Sequence, residues 1–197
     1  MELIEAHRRG EPDAIGRLLR AYQRRVYSVC YRMVQHTEDA ADLTQDALLK
    51  VLQAADRYDG RAAFSTWVIR IAMNCCLSHL RKQRTRRHQS LDLATGPTAS
   101  AWSAELADPS EPSPGRGVEQ AEERSVLLRC LGRLDAPMRA VLVLRDMQDL
   151  DYHQIGEVLD VPLGTVKSRL FRARTALRTA MEKEISPGSG MEGEGEI

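Results

Sequence analysis

The 197-residue sequence predicts an all-α protein of two small helical domains joined by a flexible acidic linker. Three observations carry that expectation. Apolar residues recur at three- and four-residue intervals through both halves, the spacing of helices that bury one stripe. Between residues 91 and 117 the periodicity stops, interrupted by Gly96-Pro97, Asp108-Pro109, Glu111-Pro112 and Pro114-Gly115. A structureless connection that long is unusual inside one compact domain, so it divides the chain. Lastly, a short helix, a proline-marked turn and a basic helix follow one another from Asp151 to Arg178. That is the pattern of a helix-turn-helix, whose second helix enters the major groove.

In order along the chain, Leu3, Ile4 and Ala6 start a short helix that stops at Gly10, and Pro12 and Asp13 open the next. Ile15, Leu18, Leu19, Tyr22, Val26, Val29, Cys30 and Met33 hold helical spacing for about five turns. Thr37 is the expected N-cap of a third helix, with Glu38 and Asp39 near its positive end. Its inward face is Ala40, Leu43, Ala47, Val51 and Ala55, with Leu48 and Leu52 alongside. A turn at Arg57-Tyr58-Asp59-Gly60 leads to a fourth helix over about Ser65 to Gln83, packed through Phe64, Val68, Ile71, Ala72 and Cys75. These elements make a first domain over residues 1–90. The second, over 118–183, opens with a helix to about Gly132. Asp135-Ala136-Pro137 then caps a helix carrying Met138, Val141, Leu142 and Leu144. Asp151 caps the helix Tyr152 to Leu159, Asp160-Val161-Pro162 breaks it, and the last helix begins near Gly164-Thr165. Residues 184–197 read as a disordered acidic tail.

Charge is balanced overall, with 28 basic and 28 acidic residues, but it is unevenly distributed. Arg61, Arg70, Arg81, Lys82, Arg84, Arg86 and Arg87 form an acid-free block. Asp92, Glu105, Asp108, Glu111, Glu119, Glu122 and Glu123 follow with Arg116 as the one base among them. The longest apolar run, Ala140 to Leu144, is far short of the ~20 residues of a membrane span, so no membrane insertion is expected. Cys30, Cys75, Cys76 and Cys130 lack the spacing of a disulfide framework, which fits a cytoplasmic protein with reduced thiols.

Three faces carry candidate chemistry. Leu163 to Arg178 holds Lys167, Arg169, Arg172, Arg174 and Arg178 and no acid, while Val166, Leu170, Ala173 and Leu177 form its buried stripe. Such a surface suits phosphates and base edges in a groove, whereas solvated helices mix both signs. On the fourth helix Trp67, Arg70, Asn74, Ser78 and Arg81 share a stripe. Aromatic, amide and guanidinium groups so placed suit an unpaired strand, although Trp67 fits a core position equally well. On the third helix Asp42, Gln45, Asp46, Leu49 and Gln53 share a stripe that reads as a solvated face or a docking face.

Asp42-Leu43-Thr44-Gln45-Asp46-Ala47, Phe64-Ser65-Thr66-Trp67-Val68-Ile69-Arg70-Ile71-Ala72-Met73-Asn74 and Pro162-Leu163-Gly164-Thr165-Val166-Lys167-Ser168-Arg169-Leu170 together resemble three motifs of the extracytoplasmic-function class of bacterial sigma factors. The resemblance covers about Ala14 to Arg87 (region 2) and Val118 to Met181 (region 4). It implies a non-catalytic subunit that gives RNA polymerase its promoter choice. Asp42, Gln45, Asp46 and Leu49 would dock on the clamp helices of the largest core polymerase subunit, and region 4 would sit near the flap of the second-largest. Lys167, Ser168, Arg169, Phe171 and Arg172 would read the −35 element of promoter DNA. Trp67, Arg70, Asn74, Ser78 and Arg81 would engage and melt the −10 element, with Asn74 at a pocket for a captured base. The linker would thread toward the polymerase active-site cleft. An anti-sigma factor is an expected partner; no cofactor or metal is expected. Two departures stand out: Gln154-Ile155-Gly156 replaces the usual Glu-Ile-Ala, and Asp151 replaces a serine cap. Gly156 weakens its helix by ~1 kcal/mol relative to alanine unless closer packing offsets it.

Two other readings compete. A stand-alone helix-turn-helix regulator leaves the Asp42 stripe and the Trp67 helix without roles. A metal or thiol enzyme would rest on Cys75, Cys76 and His79, but two more ligands are needed and none is suitably spaced.

Overall fold

The structure is a computed structural model and describes residues 2–91 and 117–185. The linker and acidic tail read from the sequence fall almost wholly outside these. The described residues are helical throughout, without a strand: α1 (Glu2–Arg8), α2 (Ala14–Val34), α3 (Thr37–Ala54), a 3₁₀ turn (Ala55–Arg57), α4 (Phe64–Leu91), α5 (Gly117–Arg133), α6 (Ala136–Leu142), a π-helical turn (Val143–Met147), α7 (Tyr152–Leu159) and α8 (Leu163–Ile185).

In the first unit α2, α3 and α4 pack against one another, with α1 laid on α2. Val26, Val29, Met33, Ala40, Ala47, Val51, Val68 and Ala72 fill the space between them. The α2–α3 corner is tight because Gln35 adopts a left-handed conformation and returns its N–H to Tyr31 O at 2.7 Å. This moves the start of α3 forward by one residue. The N-cap is therefore His36, whose Nδ1 accepts from Asp39 N at 3.4 Å, and not Thr37, which is already helical. Helix α4 also outruns its expected end at Gln83, since no Gly or Pro interrupts the chain before residue 91. In the same helix Ile69, Met73 and Cys76 are buried beside the expected face, so the buried arc is wider than one stripe.

The second unit wraps α5, α6 and α7 around α8. Asp135 caps α6, accepting from Met138 N at 2.8 Å. Asp151 caps α7 in a reciprocal box with Gln154: Gln154 N donates to Asp151 Oδ1 and Asp151 N to Gln154 Oε1, both at 2.9 Å. Asp160 ends α7 in a left-handed conformation, and Pro162 O then accepts from Thr165 N and Val166 N to start α8. A Cβ on Gly156 would lie 3.0 Å from Val161 O and 3.9 Å from Val166 Cγ2. The glycine thus lets α7 approach the turn and α8 closely, the compensation for its low helix propensity.

The two units also pack on each other, which the divided sequence did not suggest. Helices α5, α6 and the π turn lie against α2, and α6 and α7 lie against α4.

Candidate nucleic-acid interface

Helix α8 is held by burial along one side. Val166, Leu170 and Ala173 are at most 2% exposed, and each buried branched side chain contributes about 1.5–3 kcal/mol. Opposite them Lys167, Ser168, Phe171 and Arg172 are exposed, and Arg169 is half-buried at the margin. Phe171 is 73% exposed, well above the two other large exposed apolar side chains, Leu49 and Leu52. An aromatic ring displayed among bases on a packed helix has no folding role there and offers an apolar contact to a base or sugar.

The basic residues of α8 between Leu163 and Arg178 divide into two sets. Arg174 Nη2 is 2.5 Å from Asp146 Oδ1 on the π turn, with Nε 3.4 Å from the other oxygen, a forked pair that raises the guanidinium above its ordinary value. Arg178 lies 4.0 Å from Glu182 one turn on. Lys167, Arg169 and Arg172 have no ion pair among the described residues. The helix is also longer than the acid-free stretch of the sequence. Its far end carries Glu184, which bridges Arg133 and, at 3.4 Å, Arg129 on α5. Partial desolvation raises the Glu184 carboxyl, but Arg133 and Arg129 outweigh it and hold it below the usual carboxylate range.

On α4 the five stripe residues lie along one side. Arg70, Asn74 and Arg81 are exposed and Ser78 half-buried, its hydroxyl accepting from Arg81 Nη2 at 3.2 Å. Trp67 is packed in part, as the core reading of its position expects. Its ring lies 5.3 Å from Tyr58 and 5.4 Å from Phe64, within an aromatic cluster that Tyr22 completes, yet it is only partly buried. The cluster fixes the ring and leaves an edge available.

On α3 Asp42, Gln45, Asp46, Leu49 and Gln53 are all exposed. Thr44 is not part of this face: it is buried, donating to Ala40 O at 2.6 Å. Leu52, expected alongside the core, is instead 39% exposed and joins Leu49 at 53%. Two exposed leucines among carboxylates and amides fit a docking surface better than a solvated face.

The thiols are packed, not displayed. The free thiols of Cys30 and Cys76 share a hydrogen bond between α2 and α4, and that contact, with burial, holds the Cys76 thiol well above its ordinary range. Lys50 Nζ lies 3.3 Å from Cys75 Sγ. The described residues hold no cluster of three or more His, Cys, Asp or Glu able to bind a metal ion. Among them no helix is long and apolar enough to cross a membrane.

A helix-turn-helix with a bare aromatic-basic face, preceded by a helical unit with an amidic-basic stripe, has the surfaces of a protein that binds nucleic acid. The comparisons with known proteins agree. The family model for sigma-70 region 2 matches residues 18–86, and that for sigma-70 region 4 matches residues 124–177. The ECF RNA polymerase sigma factor SigW of Bacillus subtilis is 31% identical over 175 residues, 89% of this chain and 92% of the relative. The RNA polymerase sigma-H factor of Pseudomonas aeruginosa is 33% identical over 181 residues, 92% and 93% of the two chains. The ECF RNA polymerase sigma-E factor of Escherichia coli is 33% identical over 185 residues, 93% and 94%. Among solved structures, the sigma factor RpoE in complex with the anti-sigma factor NepR from Bartonella quintana shares the fold, with a TM-score of 0.64 at 20% identity over 86% of this chain and 98% of that one. CnrH in complex with the cytosolic domain of CnrY does so with a TM-score of 0.61 at 22% identity over 92% and 96%. The chain belongs to the sigma-70 family, in its extracytoplasmic-function class. That family supplies transcription initiation factors, not enzymes.

Proposed function

We infer that this chain joins core RNA polymerase in the cytoplasm and directs initiation through three separate faces. Asp42, Gln45, Asp46 and Leu49, joined by Leu52, form the docking face for the polymerase clamp. Trp67, Arg70, Asn74, Ser78 and Arg81 engage and open the −10 element. Lys167, Ser168, Arg169, Phe171 and Arg172 read the −35 element. Residues 1–90 and 118–183 are the two functional units, and 91–117 is the connection between them. The observation that carries this reading is the exposure of Phe171 between Lys167 and Arg172, on a helix whose opposite side is buried. A regulatory partner that masks these faces is an anti-sigma factor, by analogy with the relatives solved in such complexes.

Purified core polymerase supplies the test. The chain alone should bind promoter duplex weakly and should direct specific initiation only as holoenzyme. Tight sequence-specific binding without polymerase would favour a stand-alone regulator. Failure to initiate on any fragment of the source genome would overturn the reading.

A further inference from the structure

Helix α1 belongs to none of the three faces assigned above. Ile4 and Ala6, both 3% exposed, form its buried side, and α2 is the helix it packs on. Its last turn does something more. Arg8 Nη2 donates to Tyr58 O, 50 residues on, in the connection between α3 and α4. His7 Nε2 lies 3.6 Å from Asp56 Oδ1, in the 3₁₀ turn just before that carbonyl. A guanidinium donating to a carbonyl makes a charge-assisted bond, roughly twice as strong as a neutral one.

Tyr58 is the innermost ring against which Trp67 rests. It is 4% exposed, edge-on to Phe64 at 5.2 Å and tilted against Trp67 at 5.3 Å. Tyr22 of α2 meets Phe64 from another side, also edge-on, at 5.4 Å. The Tyr58 hydroxyl donates to Ala62 O at 2.5 Å, closing the short connection onto itself. Ala63 O then accepts from Trp67 N at 3.0 Å in the first turn of α4. Tyr58 is therefore held at both ends, its ring by Ala62 and its backbone by Arg8.

Trp67 stands at one end of the stripe assigned to the −10 element, and its angle is set by the rings behind it. Stacking depends on ring angle as well as distance, so a tilted ring loses a base that the rest of the stripe still reaches. We propose that Arg8 is a positioning residue for promoter opening. Through Tyr58 O it holds the Tyr58 ring, and with it Trp67, in the orientation that meets the unpaired −10 strand. This rests on the −10 reading above. Arg8 acts through Tyr58 and contacts no base itself. The polymerase-docking face on α3 and the −35 reader on α8 are separate elements, so the strut from α1 serves opening and not assembly.

The test uses the full chain in a Trp102→Phe background, where Trp67 is its one tryptophan and emission of the free chain reports that ring. Arg8→Ala should shift the emission. In holoenzyme it should slow opening, followed by 2-aminopurine in the −10 element, about tenfold. Affinity for core polymerase, and for duplex promoter before opening, should stay within about twofold. Arg8→Lys keeps a cation for the same carbonyl and should recover most of both readouts. Arg8 is exposed and alanine favours helix, so the melting temperature should hold. Should it fall, Tyr58→Phe stands in: it keeps the ring, removes the bond to Ala62 O, and should shift both readouts less far in the same direction. In a folded variant, shifted emission without slower opening, or slower opening without shifted emission, would overturn the strut. So would a loss of polymerase affinity as large as the loss of opening, which marks α1 as ordinary packing. Unaltered opening in Asn74→Ala, at an exposed position of the stripe, would instead overturn the −10 reading.

Discussion

Replacing Phe171 by alanine separates reading from folding. The ring is 73% exposed, so of the ~200 Å² of an aromatic side chain about 150 Å² faces solvent. If half to two-thirds of that is covered by a thymine methyl and the adjoining sugar, about 75–100 Å² leaves water. At ~25 cal/mol per Å² the contact is worth about 2 kcal/mol, or roughly thirtyfold in affinity. The folded chain loses almost nothing, since surface substitutions lie within about 0.5 kcal/mol. The assay is paired: thermal unfolding of the chain, and holoenzyme transcription from its promoter at sub-saturating concentration. The expected result is an unchanged melting temperature with initiation reduced about thirtyfold. Unchanged initiation would refute the reasoning, and so would a lowered melting temperature that accounts for the loss.

Three further outcomes follow from the same geometry. Leu49→Asp should abolish or strongly weaken holoenzyme formation while leaving the circular dichroism spectrum and melting temperature intact, because the side chain is already 53% exposed; undiminished assembly in a pull-down would remove α3 from the interface. Asp151→Ala should destabilise the chain by about 1 kcal/mol in denaturant titration, losing the reciprocal cap on α7 while leaving polymerase binding at region 2 unaltered. Glu184 has a depressed folded value, so its tie to Arg133 and Arg129 stabilises above the ordinary carboxylate value near about pH 4.3 and is lost as pH falls through the lower folded one; unfolding measured from pH 6 to 3 should therefore show a shallower acid slope for Glu184→Gln than for the parent.

The helix-turn-helix was legible because its signals are local. Asp151, Asp160 and Pro162 act on backbone groups within four residues, and the observed α7 bounds, Tyr152–Leu159, match the expected ones. The three candidate faces were legible as stripes for the same reason: periodicity places residues on a side of a helix. What periodicity cannot decide is which neighbour covers that side. Leu52 sits near the edge of the α3 core stripe and proves exposed, while Ile69, Met73 and Cys76 sit beside the α4 stripe and prove buried. Arg139 gave no sign at all. In sequence it is one more base on an amphipathic helix; its burial depends on Met33, 106 residues away, and on Gly132 and Leu134 turning their carbonyls toward it. Likewise the pairing of Arg174 with Asp146 spans 28 residues, so the sequence overstates the charge that α8 presents.

That last pairing has a consequence for counterions. With Arg174 paired to Asp146 and Arg178 near Glu182, the first three turns of α8 keep Lys167, Arg169 and Arg172 to displace cations condensed on DNA. Three phosphate contacts correspond to a slope of about −2.7 in a plot of log affinity against log salt, so a fourfold rise in salt weakens binding only about fortyfold. A reader with so little ion release gains little affinity from DNA in general. It is spared capture by the bulk of the genome and depends on the polymerase to carry it to the sites it recognises.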